Sequence, residues 1–150
     1  MKECMKYLNL IIMSLLSFIS MYILMYIMVD SFANVYSNLN QLYMAGLMTI
    51  PMVVIELLVM NRMYNNKKIN ILIITVNLIA LILIIIFVRK QTAIFDREFL
   101  KSMIPHHAAA ILMCEKASLE DPEVKALCRD IISAQQSEIK FMKQKLEKLK

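Results

Sequence analysis

Three long runs almost without charge constrain this chain more than any other feature. Leu8–Val29 holds 22 residues and no charge, Gln41–Met60 holds 20 with Glu56 as the one charge, and Ile71–Val88 holds 18 and none. A helix rising about 1.5 Å per residue needs about 20 apolar residues to cross a hydrocarbon core about 30 Å thick. Each run reaches that length with little to spare. A helix of a water-soluble protein carries polar residues along one face over such a length, and these runs do not. They predict transmembrane helices over about 8–29, 41–61 and 69–88.

Composition agrees. The chain has 150 residues, 59% hydrophobic, with 14 Met, 3 Pro and a single Gly. Disordered and collagen-like chains need polar or Gly/Pro-rich composition. Hairpin-rich β folds lean on Gly at positive φ in their tight turns. The expected fold class is therefore all-α: three transmembrane helices followed by a helical hairpin.

Lys2 and Lys6 precede the first run, as in a signal peptide. A signal h-region is only about 7–15 residues long and ends in small residues. This run is longer and ends Tyr26-Ile27-Met28-Val29, so it is read as a retained span. Lys and Arg near the spans set orientation. The N-terminus has Lys2 and Lys6, the loop 30–40 has none, and the loop 61–70 has Arg62, Lys67 and Lys68. This predicts a multi-pass protein of a bacterial inner membrane, with the N-terminus and second loop cytoplasmic. The first loop and the tail are then extracytoplasmic (periplasmic). Arg89, Lys90, Arg97 and Lys101 after the third span count the other way, four charges against five.

The tail is a different material. From position 91 it holds 10 Lys+Arg and 9 Asp+Glu, so the expected domains are 1–90 in the membrane and 91–150 outside it. Asp121-Pro122-Glu123 is a helix start: a capping carboxylate, a proline suited to the first helical position, and an acid that complements the dipole. From there Val124, Leu127, Cys128, Ile131, Gln135, Glu138, Ile139, Met142, Leu146 and Leu149 recur at helical steps. Upstream, Phe99, Met103, His106, His107, Ala110, Met113, Cys114 and Ala117 do the same. Two antiparallel helices follow, about 93–117 and 122–149, with a restart or kink at Pro105. Two such helices are too few to bury a full core. A homodimer completing a four-helix bundle is the expected remedy.

The chemistry-bearing residues lie on the first of these helices. Met103, His106, His107, Met113 and Cys114 form one stripe. A tight hairpin puts the histidines opposite Ile132, Gln135 and Gln136, with Glu138 and Met142 a turn further on. Thioether with imidazole suits copper, Cu(I) in particular, whereas zinc favours more thiolate or carboxylate. The competing reading makes Met103 and Met113 core filler and the histidines interfacial. The Glu-x-x-His motif of di-iron bundles and the His-Glu-x-x-His of zinc proteases are both absent.

The segment Met103-Ile104-Pro105-His106-His107-Ala108-Ala109-Ala110-Ile111-Leu112-Met113-Cys114 resembles the hallmark of the domain-of-unknown-function family number 305. Ile131 to Met142 resembles its second hallmark, and Asp96 and Phe99 match the approach to the first. The resemblance covers about residues 93–149, with both segments at the right separation. It departs at Ala109, where Gly is common, and in holding one compact copy. It implies a ferritin-like helical fold, fused here to three N-terminal spans. Some members, of the CopM type, are extracytoplasmic copper-binding proteins that use Met and His. Carried over, this implicates Met103, His106, His107 and Met113 as ligands of a copper ion. Gln135, Glu138 and Met142 are expected to surround and orient those ligands.

Cys114 and Cys128 both fall on the inner stripes near facing register. A disulfide across the hairpin, a copper thiolate at Cys114, or two buried apolar residues all fit. Cys4, near the N-terminus, is expected to be an inert thiol. Inside the bilayer the polar residues are Glu56, near the inner end and within reach of Arg62 or water, and Asn77. The expected function is extracytoplasmic copper buffering, transfer or resistance, with copper-handling proteins and the lipid bilayer as partners. The alternative is a structural or assembly protein whose hairpin oligomerises without metal. No nucleophile–base pair or phosphate loop is present, so no enzyme is expected. Nucleic acid is not an expected partner, because +4 of the net +5 lies in residues 1–90.

Overall fold

The computed structural model describes residues 2–149, with side chains from Met5 onward, so the Lys2 charge and the Cys4 thiol lie outside the described residues. Among these residues the fold is all helical. The helices are α1 (Lys2–Leu24), α2 (Leu39–Val59), α3 (Lys67–Lys90), α4 (Asp96–Lys116) and α5 (Pro122–Lys148). Short 3-10 turns, Met25–Met28 and Phe32–Asn34, lie between α1 and α2. Three segments are long and apolar enough to cross a membrane: Met5–Met28, Leu39–Val59 and Lys67–Lys90. The chain divides into two compact units, residues 1–24 with 40–92 and residues 25–39 with 93–150.

The first unit is the three apolar helices. Leu10, Val53, Leu57 and Tyr64 form a small buried cluster. No described residue of α3 is buried, and Ile71, Leu72 and Ile82 stand about 60% exposed (65, 62 and 58%). Aliphatic exposure on that scale is foreign to a water-soluble surface. The close contact lies where side chains are smallest. Ala45, Gly46 and Thr49 are buried on α2, and a Cβ on Gly46 would sit 2.9 Å from Ile84 Cδ1 on α3. Small residues let apolar helices approach in just this way.

Polar groups in this unit are satisfied locally. Asn77 donates to the Ile73 carbonyl (2.8 Å), Ser14 to Leu10 (2.7 Å) and Thr49 to Ala45 (2.8 Å). Glu56 interacts with the Tyr64 hydroxyl. Lys6 donates to the Met63 carbonyl (2.8 Å), and the Tyr7 hydroxyl reaches Asn70 Oδ1 (2.7 Å). A basic residue that sequence reading used for orientation thus also ties α1 to the α2–α3 turn.

The second unit is the hairpin with the 25–39 connection laid on it. Ile104, Ala108, Ile111, Ile139 and Met142 make its core, and Val29 and Tyr36 of the connection pack against them. The connection is internally braced: Tyr26 donates to the Tyr36 carbonyl (2.8 Å) and Asn34 to Asp30 (2.6 Å). Glu98 of α4 accepts the Leu39 N–H (3.1 Å). The Lys101 hydrogen bond holds the Glu98 carboxyl below the usual carboxylate range.

Asp121 caps α5 as its sequence suggests, accepting from the N–H groups of Glu123 (2.8 Å) and Val124 (2.9 Å), with Pro122 in the first turn. Pro105 does not end α4: the helix runs through it, and Pro105 is buried. The buried stripe of α4 is Ile104, Pro105, Ala108 and Ile111, rotated from the 103/106/113 stripe that the spacing suggests. The reason is size and branching. Burial favours the largest aliphatic surfaces, and the two isoleucines, seven residues apart, set the inward face.

Candidate metal-binding site

His107 sits at the edge of that inward face, with its ring mostly enclosed, and meets Glu138 of α5. Its Nδ1 lies 3.0 Å from Glu138 Oε2. That nitrogen is shut off from solvent and has no well-directed hydrogen bond, so the contact has the length of a hydrogen bond but not its direction. The Glu138 side chain is half-exposed (52%). Burial lowers the His107 pKa below the ordinary 6.5, the Glu138 carboxylate opposes this, and His106 adds to the lowering. At neutral pH the ring therefore carries one proton. With that proton on Nδ1 toward Glu138, Nε2 keeps a free lone pair. Carboxylate–imidazole pairs orient metal-ligating histidines in this way.

The other expected ligands divide between two places. Met103 is one turn before His107, on the same side of α4, partly buried against the core. His106 is exposed, its ring centroid 6.0 Å from that of His107 at an interplanar angle of 58°. Met103, His106 and His107 thus fall within about one turn of α4, with Glu138 against His107. Met113 is not part of this group. It is 51% exposed and stands about 9 Å further along the helix than His107, at about 1.5 Å per residue. Donor atoms must lie within about 2.0–2.3 Å of a metal, so Met113 does not close on the ion that the other three would hold.

Met142 is a core residue, 6% exposed, and Gln135 is half-buried. His107 meets Glu138 rather than Gln135, about a turn further along α5 than a tight hairpin gives. The five-residue connection 117–121, outside either helix, takes up the difference. Cys114 and Cys128 are joined as a disulfide with Cα atoms 5.3 Å apart, which removes Cys114 from any ligand set while the bond is intact.

Among the described residues no group of three or more His, Cys, Asp and Glu is placed to hold a metal ion. A four-coordinate zinc site built from these residue types is therefore not available. Thioether and imidazole are donors suited to a soft ion rather than to zinc, and Met103 is the thioether within one turn of the two histidines. Sequence reading did not find Glu98 or the 25–39 connection, whose contacts join residues about 60–110 positions apart.

The His107 environment sets a pH response for the metal-free protein. Its pKa is depressed on folding, so the unfolded chain binds the proton more readily. The stabilisation from a neutral His107 is complete above pH 6.5 and is lost as pH falls from 6.5 toward the folded-state value. Glu98, also depressed, acts only near and below its ordinary 4.5. The hairpin should thus loosen between pH 7.5 and 5.5, measured by amide hydrogen exchange of α4 corrected for intrinsic rates. His107→Gln should flatten that dependence; a slope unchanged in this variant refutes the assignment.

A family model described as "Domain of unknown function (DUF305)" matches residues 87–146. An uncharacterized protein of Acanthamoeba polyphaga mimivirus is 35% identical over 144 residues, spanning 94% of this chain and 93% of its own length. The likeness to that viral protein therefore extends through the three apolar helices as well as the hairpin. No solved structure matches.

Proposed function

From the premise that this chain belongs to the DUF305 family, with that domain placed after three helices able to cross a membrane, we propose that it is a membrane-anchored metal-binding protein with Cu(I) as its cargo. One observation carries the reading. The half-buried His107 is paired to a carboxylate through one ring nitrogen, one turn from Met103 and beside His106. In this reading Nε2 of His107, an imidazole nitrogen of His106 and the Met103 thioether hold the ion, and Glu138 orients His107. Met113, outside that group, serves as an outer thioether for capture or hand-over. The role is binding and transfer, for buffering or resistance, rather than catalysis.

The membrane arrangement supports the reading in one respect. The 25–39 connection packs on the hairpin, and this needs both on one side of a bilayer. Three spans put them on one side. The hairpin is assigned to the extracytoplasmic side, where the Cys114–Cys128 disulfide is at home, and the N-terminus to the cytoplasm.

The test is a Cu(I) competition titration of the full chain in detergent against a chromogenic chelator. The expected result is one ion per chain, a loss of more than about tenfold in affinity in His106→Ala/His107→Ala, and about 10–100-fold in Glu138→Gln. An affinity unchanged by the histidine pair refutes the reading. A second reading, assembly through the hairpin, draws on the exposed Met113, Val124 and Leu127 (51, 41 and 57%) at its turn end. Copper-independent dimers that Leu127→Glu dissociates would favour it.

A further inference from the structure

Charge on the hairpin is sorted by end. The turn end, residues 113–131, carries Glu115, Glu120, Asp121, Glu123 and Asp130 against Lys116, Lys125 and Arg129, a net of −2. The open end, residues 96–103 with 139–149, carries Arg97, Lys101, Lys140, Lys143, Lys145 and Lys148 against Asp96, Glu98 and Glu147, a net of +3. Glu98 is already engaged by Lys101 (2.7 Å). The two chain segments of the open end are joined, since Arg97 donates to the Leu149 carbonyl.

Apolar rings stand at the same end. Phe95, Phe99 and Phe141 are 79, 49 and 58% exposed, and the Lys145 ammonium lies 5.9 Å from the Phe141 ring centroid. The core at this end is filled by Leu100, Met103, Met142 and Leu146, so the rings are not needed inside. Through this end the hairpin is attached to α3, with five residues between Lys90 and Asp96. The hairpin's cations and exposed rings therefore collect where the chain leaves the apolar helices, and its acids collect at the far tip.

We infer that the open end of the hairpin is a docking surface for an anionic phospholipid bilayer. Phe95, Phe99 and Phe141 enter the headgroup region, and Lys140, Lys143, Lys145 and Lys148 contact phosphodiester groups. Interfacial binding of this kind combines apolar burial with attraction to anionic lipid. The acidic tip is repelled by the same surface, so the charge order stands the hairpin on its open end. The inference rests on the membrane reading of α1–α3 and is independent of copper.

The chain has no Trp, so Phe141→Trp introduces a lone indole. The full-length variant is reconstituted into phosphatidylcholine vesicles and into vesicles with about 30% phosphatidylglycerol, both with brominated acyl chains. Quenching should be at least about twofold greater in the anionic vesicles. It should fall to the neutral value in 1 M NaCl, where the Debye length is about 3 Å, and when Lys140→Glu, Lys145→Glu and Lys148→Glu are added. Equal quenching in the two vesicle types overturns the inference, and so does a gain that survives charge reversal. On the unaltered chain, acylation of Lys140, Lys145 and Lys148 should slow at least about threefold relative to Lys125 in anionic vesicles; equal rates overturn it likewise. A chain released from the vesicles by alkaline carbonate would instead refute the membrane reading.

Discussion

Ile104→Ala should destabilise the hairpin by about 2–5 kcal/mol, the cost of removing a buried aliphatic side chain and leaving a cavity. Ile104 is fully buried, and it is joined in one cluster with Ala108, Ile111, Ile139 and Met142. Ala108, one turn further along α4, is itself buried and too small to fill the space, so the site collapses poorly. A unit of this size has little stability to spare, and the variant should lose most of its slow-exchanging amides in α4 and α5. Leu127→Ala supplies the contrast. Its spacing places it on the inner stripe of α5, yet it is 57% exposed, so its replacement should cost within about 0.5 kcal/mol. Hydrogen exchange of the full chain in detergent measures both. Equal costs for the two would mean that the inward face has been misassigned.

Reducing the Cys114–Cys128 disulfide, or replacing the pair by serine, should cost about 3 kcal/mol. The bond closes a loop of about 15 residues, and the chain-entropy account gives that magnitude. The cross-link matters here because of where the core lies. Ile139 and Met142 are buried in the half of α5 away from the turn, whereas Val124 and Leu127 beside the turn are exposed. Apolar burial therefore holds the open half, and the disulfide holds the turn half. Exchange should accelerate most over residues 113–131 and least around Ile139. A uniform change along both helices, or a cost under about 1 kcal/mol, would contradict this division. Cu(I) binding at the proposed Met103/His106/His107 group, away from the turn, should weaken only slightly on reduction.

Much of this architecture is legible in the residues alone, for specific reasons. The three apolar runs fix helices because nothing else buries unbroken Leu, Ile and Met at that length. Asp121-Pro122 fixes the start of α5 because cap and proline act locally, whatever surrounds them. The pairing of Cys114 with Cys128 is within reach of spacing, but spacing leaves disulfide, copper thiolate and buried thiol all open. His106 and His107 are visible as a pair, but not their division into an exposed ring and an enclosed one. Adjacent positions on a helix differ by about 100°, and only the packing of Ile104 and Ile111 decides which of the two turns inward.

What the sequence by itself determined is the list of helices, the change of material near residue 90 and the adjacent placing of His106 and His107 on the first hairpin helix. All of these depend on local propensity or on hydropathy summed along the chain. The tertiary structure alone decided the inward face of α4, the passage of the helix through Pro105, the meeting of His107 with Glu138 and the docking of residues 25–39 on the hairpin. Each of these joins residues far apart in sequence or weighs one side chain's burial against another's. That competition is settled only when both helices and the connection are packed together.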